Sequence, residues 1–395
     1  MNNIESSPYP LVFKANIDGE FPSVTFNGAD SANVAAVTRA LEGMQKECLL
    51  HYGPDNAVWR VVCDEGPWLN GTDLAPFPLG FFTAGLVASY MSEFLAHAKS
   101  ANIEIDDLEV MVDNHYSMEG SLLKGTMVAG ALPVEVSFRV KSSADKQLLQ
   151  QLAYQSIASS AADAYLRNAQ SGVFSLNSNG NDLPVEDSEL SPLSADPIAV
   201  FDSVAFDGNP LGDEKIIEKL PDVDQLGGEK LGTERAKGDV GLSDEQKRQV
   251  HVRGVGSLRE DGLKSIQVAC FNPIGSVFKF LSDDSELVGG QGRAPSGLAY
   301  LSAGLTFCFM TQLGRYASVA KQQLNSYHIL QETTFPLSNK TSAPLGSNPV
   351  KTYVFLGTDE DEKQSLKLLS MGEQTCYLHA AGRNAIKTRI SFSKA

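Results

Sequence analysis

Two stretches of the chain repeat one pattern of apolar and polar positions. VWRVVCDEGPWLNGTDLAPFPLGFFTAGLVASYM begins at Val58, and VFKFLSDDSELVGGQGRAPSGLAYLSAGLTFCFM begins at Val277, 219 positions later. They align without a gap. Asp64 falls on Asp283, Gly71 on Gly290, Ala75-Pro76 on Ala294-Pro295, and Ala84-Gly85-Leu86 on Ala303-Gly304-Leu305. Self-similarity at a fixed offset marks a duplicated structural unit.

Each copy predicts the same elements. Alternating apolar positions give a strand over 58–62 and over 277–281, followed by an acidic turn and a Gly-rich loop ending in Ala-Pro. Long apolar helices follow over 79–101 and 298–324, with proline just ahead of each, where the missing N–H costs nothing. Further strands are expected over 108–112 and 134–140 in copy one, and over 327–331 and 352–356 in copy two. A second helix opens after Asp145 in copy one and after Asp361 in copy two, each with a leucine periodicity. Copy one also predicts early strands within 11–26 and a helix near 33–48; copy two offers two strands after Val250. The expected fold class is α+β: two tandem domains, each a sheet packed with two main helices, over 1–170 and 248–395. The connector, 171–247, reads as a flexible polar stretch with a short helix at 213–220.

Composition adjusts this picture in two places. The net charge of −16 sits mainly in the connector, where 171–245 carries 17 acids against 5 bases, so the flanking domains are nearly balanced. Such an acidic chain is expected to bind no nucleic acid. The N-terminal residues lack a basic region followed by an apolar core, and no run of about 18 apolar residues stands out, so neither a leader nor a membrane partner is expected. A cytoplasmic, reducing setting follows, in which any disulfide is transient rather than structural.

Of five cysteines, Cys308 lies inside the second apolar helix and Cys376 lies in the helix after it. At the 219-residue offset their counterparts are Ser89 and Ile157, so only copy two carries a thiol pair. A reactive thiol needs a base, a cation or a helix N-terminus beside it. Cys308 is too deep in its helix for the dipole to help, and Arg315 lies about 10 Å along the axis, so a cation must arrive from another element. Cys376-x-x-His379 has a metal-like spacing without a second ligand pair, and no metal or other cofactor is expected. Cys48, Cys63 and Cys270 read as packing residues. The segments NGTDLAP and GGQGRAP lack a Walker lysine and read as tight turns.

LSAGLTFCFMTQLGRYA resembles the helix that carries the peroxidatic cysteine in OsmC/Ohr proteins. SDDSELVGGQGRAPSGL resembles that family's acidic turn and Gly/Pro entry, and QTCYLHAA the place of its resolving cysteine. The resemblance covers copy two and, without the cysteines, copy one. It implies that Cys308 attacks an organic hydroperoxide, that Cys376 then forms a disulfide with it, and that a dithiol reductant reopens the bond. It also implies an intertwined pair of domains, here within one chain, with a homodimer as a further option. The chain departs from the family at Leu298 (Leu79 in copy one), where the family has a glutamate, and at Tyr377, where it has a proline. Arg293, Glu286 and Asp284 are the charged groups of the neighbouring loop. The family's early-strand arginine corresponds to the stretch holding Arg253 and Arg259, so Arg253 and Arg293 complete the expected site. The competing function is a non-catalytic ligand-binding or scaffold protein, its pocket lined by Phe81, Phe82, Tyr300, Phe307 and Phe309. A third is another thiol enzyme, an acyl or sulfur transferase using His379 as base.

Overall fold

A computed structural model describes residues 3–23, 31–186, 188, 193–221, 226, 246–337 and 345–395. Positions 24–26 of the expected early strands, and most of the connector beyond residue 221, lie outside the described residues. The first half runs through β1 (Val12–Ile17), β2 (Ser31–Ala40), β3 (Lys46–Tyr52), β4 (Ala57–Cys63) and the long helix α1 (Pro78–Ser100). It continues with β5 (Asp107–Gly120), β6 (Val128–Ala131), β7 (Val134–Lys141), α2 (Lys146–Ser159) and α3 (Ala161–Arg167). Among the described residues the connector adds four short strands: β8 (Val173–Ser178), β9 (Asn181–Leu183), β10 (Val204–Phe206) and β11 (Ile217–Leu220). The second half repeats the order as β12 (Gln246–Leu258), β13 (Lys264–Asn272), β14 (Ile274–Ser282), α4 (Gly297–Ala320), β15 (Leu324–Pro336) and β16 (Lys351–Thr358). It ends with α5 (Glu362–Thr375), α6 (Tyr377–Arg383) and β17 (Thr388–Lys394).

The strands form two mixed sheets, and the α+β class is what the chain adopts. Among the described residues, one sheet has the order β10-β1-β4-β3-β2-β15-β16-β8-β9 and the other β11-β14-β13-β12-β5-β7-β17, with β6 beside β5. Each therefore joins the early meander of one half to the late strands of the other. β2 pairs antiparallel with β15, placing Thr38 opposite Ile329, and β12 pairs antiparallel with β5, placing Val252 opposite Asn114. The exchange recurs at the far edges, where β16 takes β8 and β17 takes β7, both parallel.

The central helices lie between the sheets, α1 against β12, β13 and β5, α4 against β2, β3 and β15, and the two pack on each other. Glycines permit that last contact. A Cβ on Gly85 would stand 2.6 Å from the Gly297 carbonyl oxygen and the Leu301 nitrogen, and one on Gly304 2.6 Å from the Phe82 nitrogen. The repeated Ala-Gly-Leu thus sets the helix–helix distance from both sides. By length and composition alone α1 could cross a membrane, but 78% of its apolar window is buried inside the protein.

Two expected helices and the flexible reading of the connector are corrected. Residues 33–48 form parts of β2 and β3, not a helix; β3 is buried throughout, and a strand covered on both faces loses the period-2 contrast that distinguishes it. These strands do have partners in copy two, namely β12 and β13. Residues 213–220 carry no helix but the strand β11, hydrogen-bonded to β14. Within the polar connector, Asn179-Gly180, both at positive φ, turn β8 into β9, the Asn-Gly hairpin turn.

The second helix of each half is broken. Asp145 caps α2 by accepting from the backbone N–H groups of Gln147 and Leu148, and Asp361 caps α5 in a reciprocal pair with Gln364. Ser160 then separates α2 from α3, and Cys376 separates α5 from α6, each with extended backbone. The structural counterpart of Cys376 is therefore Ser160, 216 positions earlier, and not Ile157.

Candidate functional site

Two thiols meet where α4 crosses the α5–α6 junction. The sulfurs of Cys308 and Cys376 are 3.3 Å apart, hydrogen-bonded and unlinked. Closing a disulfide means approaching to about 2.05 Å. Both residues are buried, Cys308 being 2% exposed. Nδ1 of His379 lies 3.2 Å from the Cys376 sulfur. The backbone of His379 also faces that sulfur, and the backbone of Leu378 faces that of Cys308.

These contacts divide the pair electrostatically. Burial raises the pKa of Cys308, and Cys376 beside it raises it further. Burial opposes ionisation of Cys376 too, but its hydrogen bond with Cys308 and the adjacent His379 bring it well below the ordinary thiol range. At Cys48, Cys63 and Cys270 burial prevails and pushes all three thiols up, against Thr38 beside Cys48, Lys46 beside Cys63 and the Asn272 backbone beside Cys270.

Cys308 forms part of the wall of a cavity of about 340 Å³ built from both halves of the chain, a size that takes a small organic ligand. Trp68, Phe77 and Leu79 supply apolar surface from the first half, and Val250, Cys270 and Tyr377 from the second. Glu65, Lys247, Arg248 and Arg315 bring charge to the same wall. Glu65 accepts a hydrogen bond of 2.6 Å from the Thr311 hydroxyl. Burial raises the carboxyl pKa of Glu65, against the charge of Lys46 and that hydroxyl.

Of the residues expected at the site, the structure brings the two cysteines together and leaves the arginines elsewhere. Arg253 sits on the outer face of its sheet, bidentate to Asp113 at 2.7 and 3.0 Å and stacked over Phe271. Strand alternation explains this: Val252 and Cys270 face the helices, so Arg253 and Phe271 point away. Arg293 donates to Asp283 at 2.8 Å and to the Asp261 carbonyl in the turn between β12 and β13. Arg259 pairs with Glu214 and Asp261. None of the three lines the cavity. Phe81, Phe82, Tyr300, Phe307 and Phe309 are fully buried core residues and do not line it either.

Sequence reasoning missed Glu65 and Arg248 and set Arg315 aside. Glu65 follows the duplicated Asp64, within the acidic turn that the repeat marks out. Arg315 belongs to the helical row Cys308, Thr311 and Arg315, and its long side chain reaches the cavity that the axial distance had placed out of range. Arg248 lies at the start of β12, five residues before the arginine expected there. The Gly-rich segments are tight turns: a Cβ on Gly71 would stand 1.9 Å from the Glu65 carbonyl oxygen, and one on Gly290 2.0 Å from that of Asp284. Asp64 and Asp283 hold these turns by accepting from their backbone N–H groups.

The opposite end of the helix pair mirrors this arrangement with different chemistry. Ser89 and Ser160 occupy the cysteine positions, their hydroxyl oxygens 3.0 Å apart. Ser92 donates to Asp284 at 2.6 Å as Thr311 donates to Glu65. Asp163 stands where the other end has His379, accepting from Tyr90, Thr388 and Arg167.

No family model and no curated protein matches the sequence. Among solved structures, the chain is similar to an OsmC-like hydroperoxide resistance protein from Jannaschia sp. CCS1, at 19% identity. That match covers 33% of this chain and 83% of the other, with a TM-score of 0.21. A likeness of that extent says nothing of what this chain does.

Proposed function

We propose that the chain is a fused pair of OsmC-like units, over 1–170 and 248–395, acting as a thiol-dependent peroxidase on organic hydroperoxides. The observation that carries the reading is the pair of unlinked sulfurs 3.3 Å apart, one of them in the wall of a 340 Å³ cavity with cations beside it.

In the first step Cys308 passes its proton to the Cys376 sulfur, and the resulting thiolate attacks one peroxide oxygen. The O–O bond breaks, the sulfur is oxidised to a sulfenic acid, and the alkoxide leaves with the proton that Cys308 lost, as an alcohol. Cys376, again a thiolate, attacks the Cys308 sulfur and expels hydroxide, which leaves as water. A dithiol reductant returns the disulfide to two thiols by exchange. Glu65, Arg248 and Arg315 orient the peroxide, and the apolar wall takes its organic group. A reducing compartment such as the cytoplasm keeps the cycle turning.

The test is hydroperoxide consumption with a dithiol present. The wild type is expected to turn over and Cys308→Ser to fall to background. Equal consumption by both would remove Cys308 from the chemistry. A tightly held organic ligand in a chain whose thiols ignore peroxide would favour a binding protein instead.

A further inference from the structure

We infer that His379 is a catalytic residue of the thiol pair: its ring N–H holds Cys376 as the standing thiolate and supplies the proton that leaves with hydroxide when the disulfide closes. This rests on the peroxidase reading above.

His379 is 3% exposed and lies between the rings of Phe174 and Phe309, with centroids 5.4 and 5.3 Å away. Its Nε2 has no hydrogen-bond partner in this apolar setting, and Nδ1 points at the Cys376 sulfur at 3.2 Å. An imidazole buried this way is costly unless its one polar contact is strong. A charge-assisted N–H to a thiolate is such a contact, and a neutral N to a thiol is a weak one. The counterpart position shows what a group without this task looks like. Asp163 is fastened by Tyr90, Thr388 and Arg167, whereas Phe309 replaces Tyr90 in the repeat and has no hydroxyl to offer.

The position also suits both steps. In the first, the Cys376 thiolate is the base that takes the Cys308 proton, which the alkoxide then removes. In the second, the same thiolate displaces hydroxide from Cys308, and the imidazolium proton completes the water. The ring ends neutral beside the new disulfide. Reduction by a dithiol restores one thiol, one thiolate and the protonated ring, so protons and electrons balance over the cycle.

Cys308 on α4, Tyr116 on β5, Tyr165 on α3 and Tyr377 on α6 all have their pKa values raised, each by burial first. Arg383, on the same helix as His379, is paired with Glu373 at 3.0 Å.

The experiment has two arms. In the first, thiolate absorbance is followed against pH in the Cys308→Ser chain, where the introduced hydroxyl can still donate to Cys376. Cys376 is expected to ionise well below the ordinary thiol value of about 8.5, and adding His379→Gln should raise the midpoint by at least about one unit. In the second, peroxide-driven closure of the Cys308–Cys376 disulfide is timed, and His379→Gln is expected to slow it by about 100-fold or more. An ordinary midpoint for Cys376 with His379 present, or closure at the wild-type rate in His379→Gln, overturns the inference. Should the variant not fold, the first arm decides with His379 intact. Should peroxide leave the wild-type thiols alone while Cys376 still ionises early, the peroxidase reading fails and the histidine–thiolate pair stands.

Discussion

The two ends of the central helix pair share one backbone plan and differ in a handful of side chains. At one end Ser89 and Ser160 face each other at 3.0 Å; at the other Cys308 and Cys376 do so at 3.3 Å. Two hydroxyls can only share a proton, whereas two thiols can also lose two electrons and join. The residues behind each pair follow suit. Asp163 is held in a closed network that fixes structure, and His379 has one polar contact, directed at a sulfur. Duplication therefore supplies the geometry twice, and the side chains decide whether a hydroxyl pair or a thiol pair occupies it.

The sharpest way to break this comparison is to exchange the chemistry between the ends. Placing Ser89→Cys and Ser160→Cys in the Cys308→Ser chain should create a second oxidisable pair. A strong small-molecule oxidant is expected to link those cysteines, seen as the loss of two thiols in a thiol count. Hydroperoxide consumption should stay at background, because Asp163 stands where His379 is needed. Turnover restored by the moved pair would show that two close thiols suffice.

A smaller effect is expected at Glu93, which the repeat places opposite Gln312. Burial pushes the Glu93 carboxyl up from 4.5 to about 7, against the hydrogen bond from Ser159. The folded state thus binds this proton more tightly than the unfolded state, so stability falls as pH rises from about 4.5 to about 7. Glu93→Gln should remove that slope and stabilise the chain above pH 7 by up to about 3 kcal/mol, read from urea unfolding at several pH values. An unchanged slope would place the acid's environment wrongly.

The smallest change tests the shared scaffold. Gly85→Ala and Gly304→Ala each put a methyl 2.6 Å from backbone of the facing helix. Each should cost about 1–3 kcal/mol, by a similar amount at both ends, in thermal melts. A large difference between them would mean that the two halves do not meet symmetrically.

Much of this was written in the sequence, for identifiable reasons. The long helices and the thiol of α4 follow from a 3.6-residue apolar period and one unbroken alignment. The meeting of Cys308 with Cys376 was legible only as order along the chain, through the resemblance to OsmC/Ohr proteins. The exchange of strands was not legible, because the periodicity of β2 or β12 says which face is buried and not which copy's strand lies beside it. Residues 33–48 misled because both faces of β3 are covered. Cys376 read as mid-helix because the leucine period continues across the break, which a single extended residue makes. Arg253 failed on parity alone: one residue along the strand separates the cavity face from the outer face. Glu65 and Arg315 were visible as residues but belong to different halves of the chain, and only the packed helices bring them to one wall.

The central claim is tested most directly by treating the reduced wild-type chain with one equivalent of an organic hydroperoxide and mapping its cysteines by peptide mass spectrometry. The account predicts one intrachain Cys308–Cys376 disulfide, with Cys48, Cys63 and Cys270 remaining as thiols. Two unmodified thiols at Cys308 and Cys376, or oxidation spread among the other three, would contradict it.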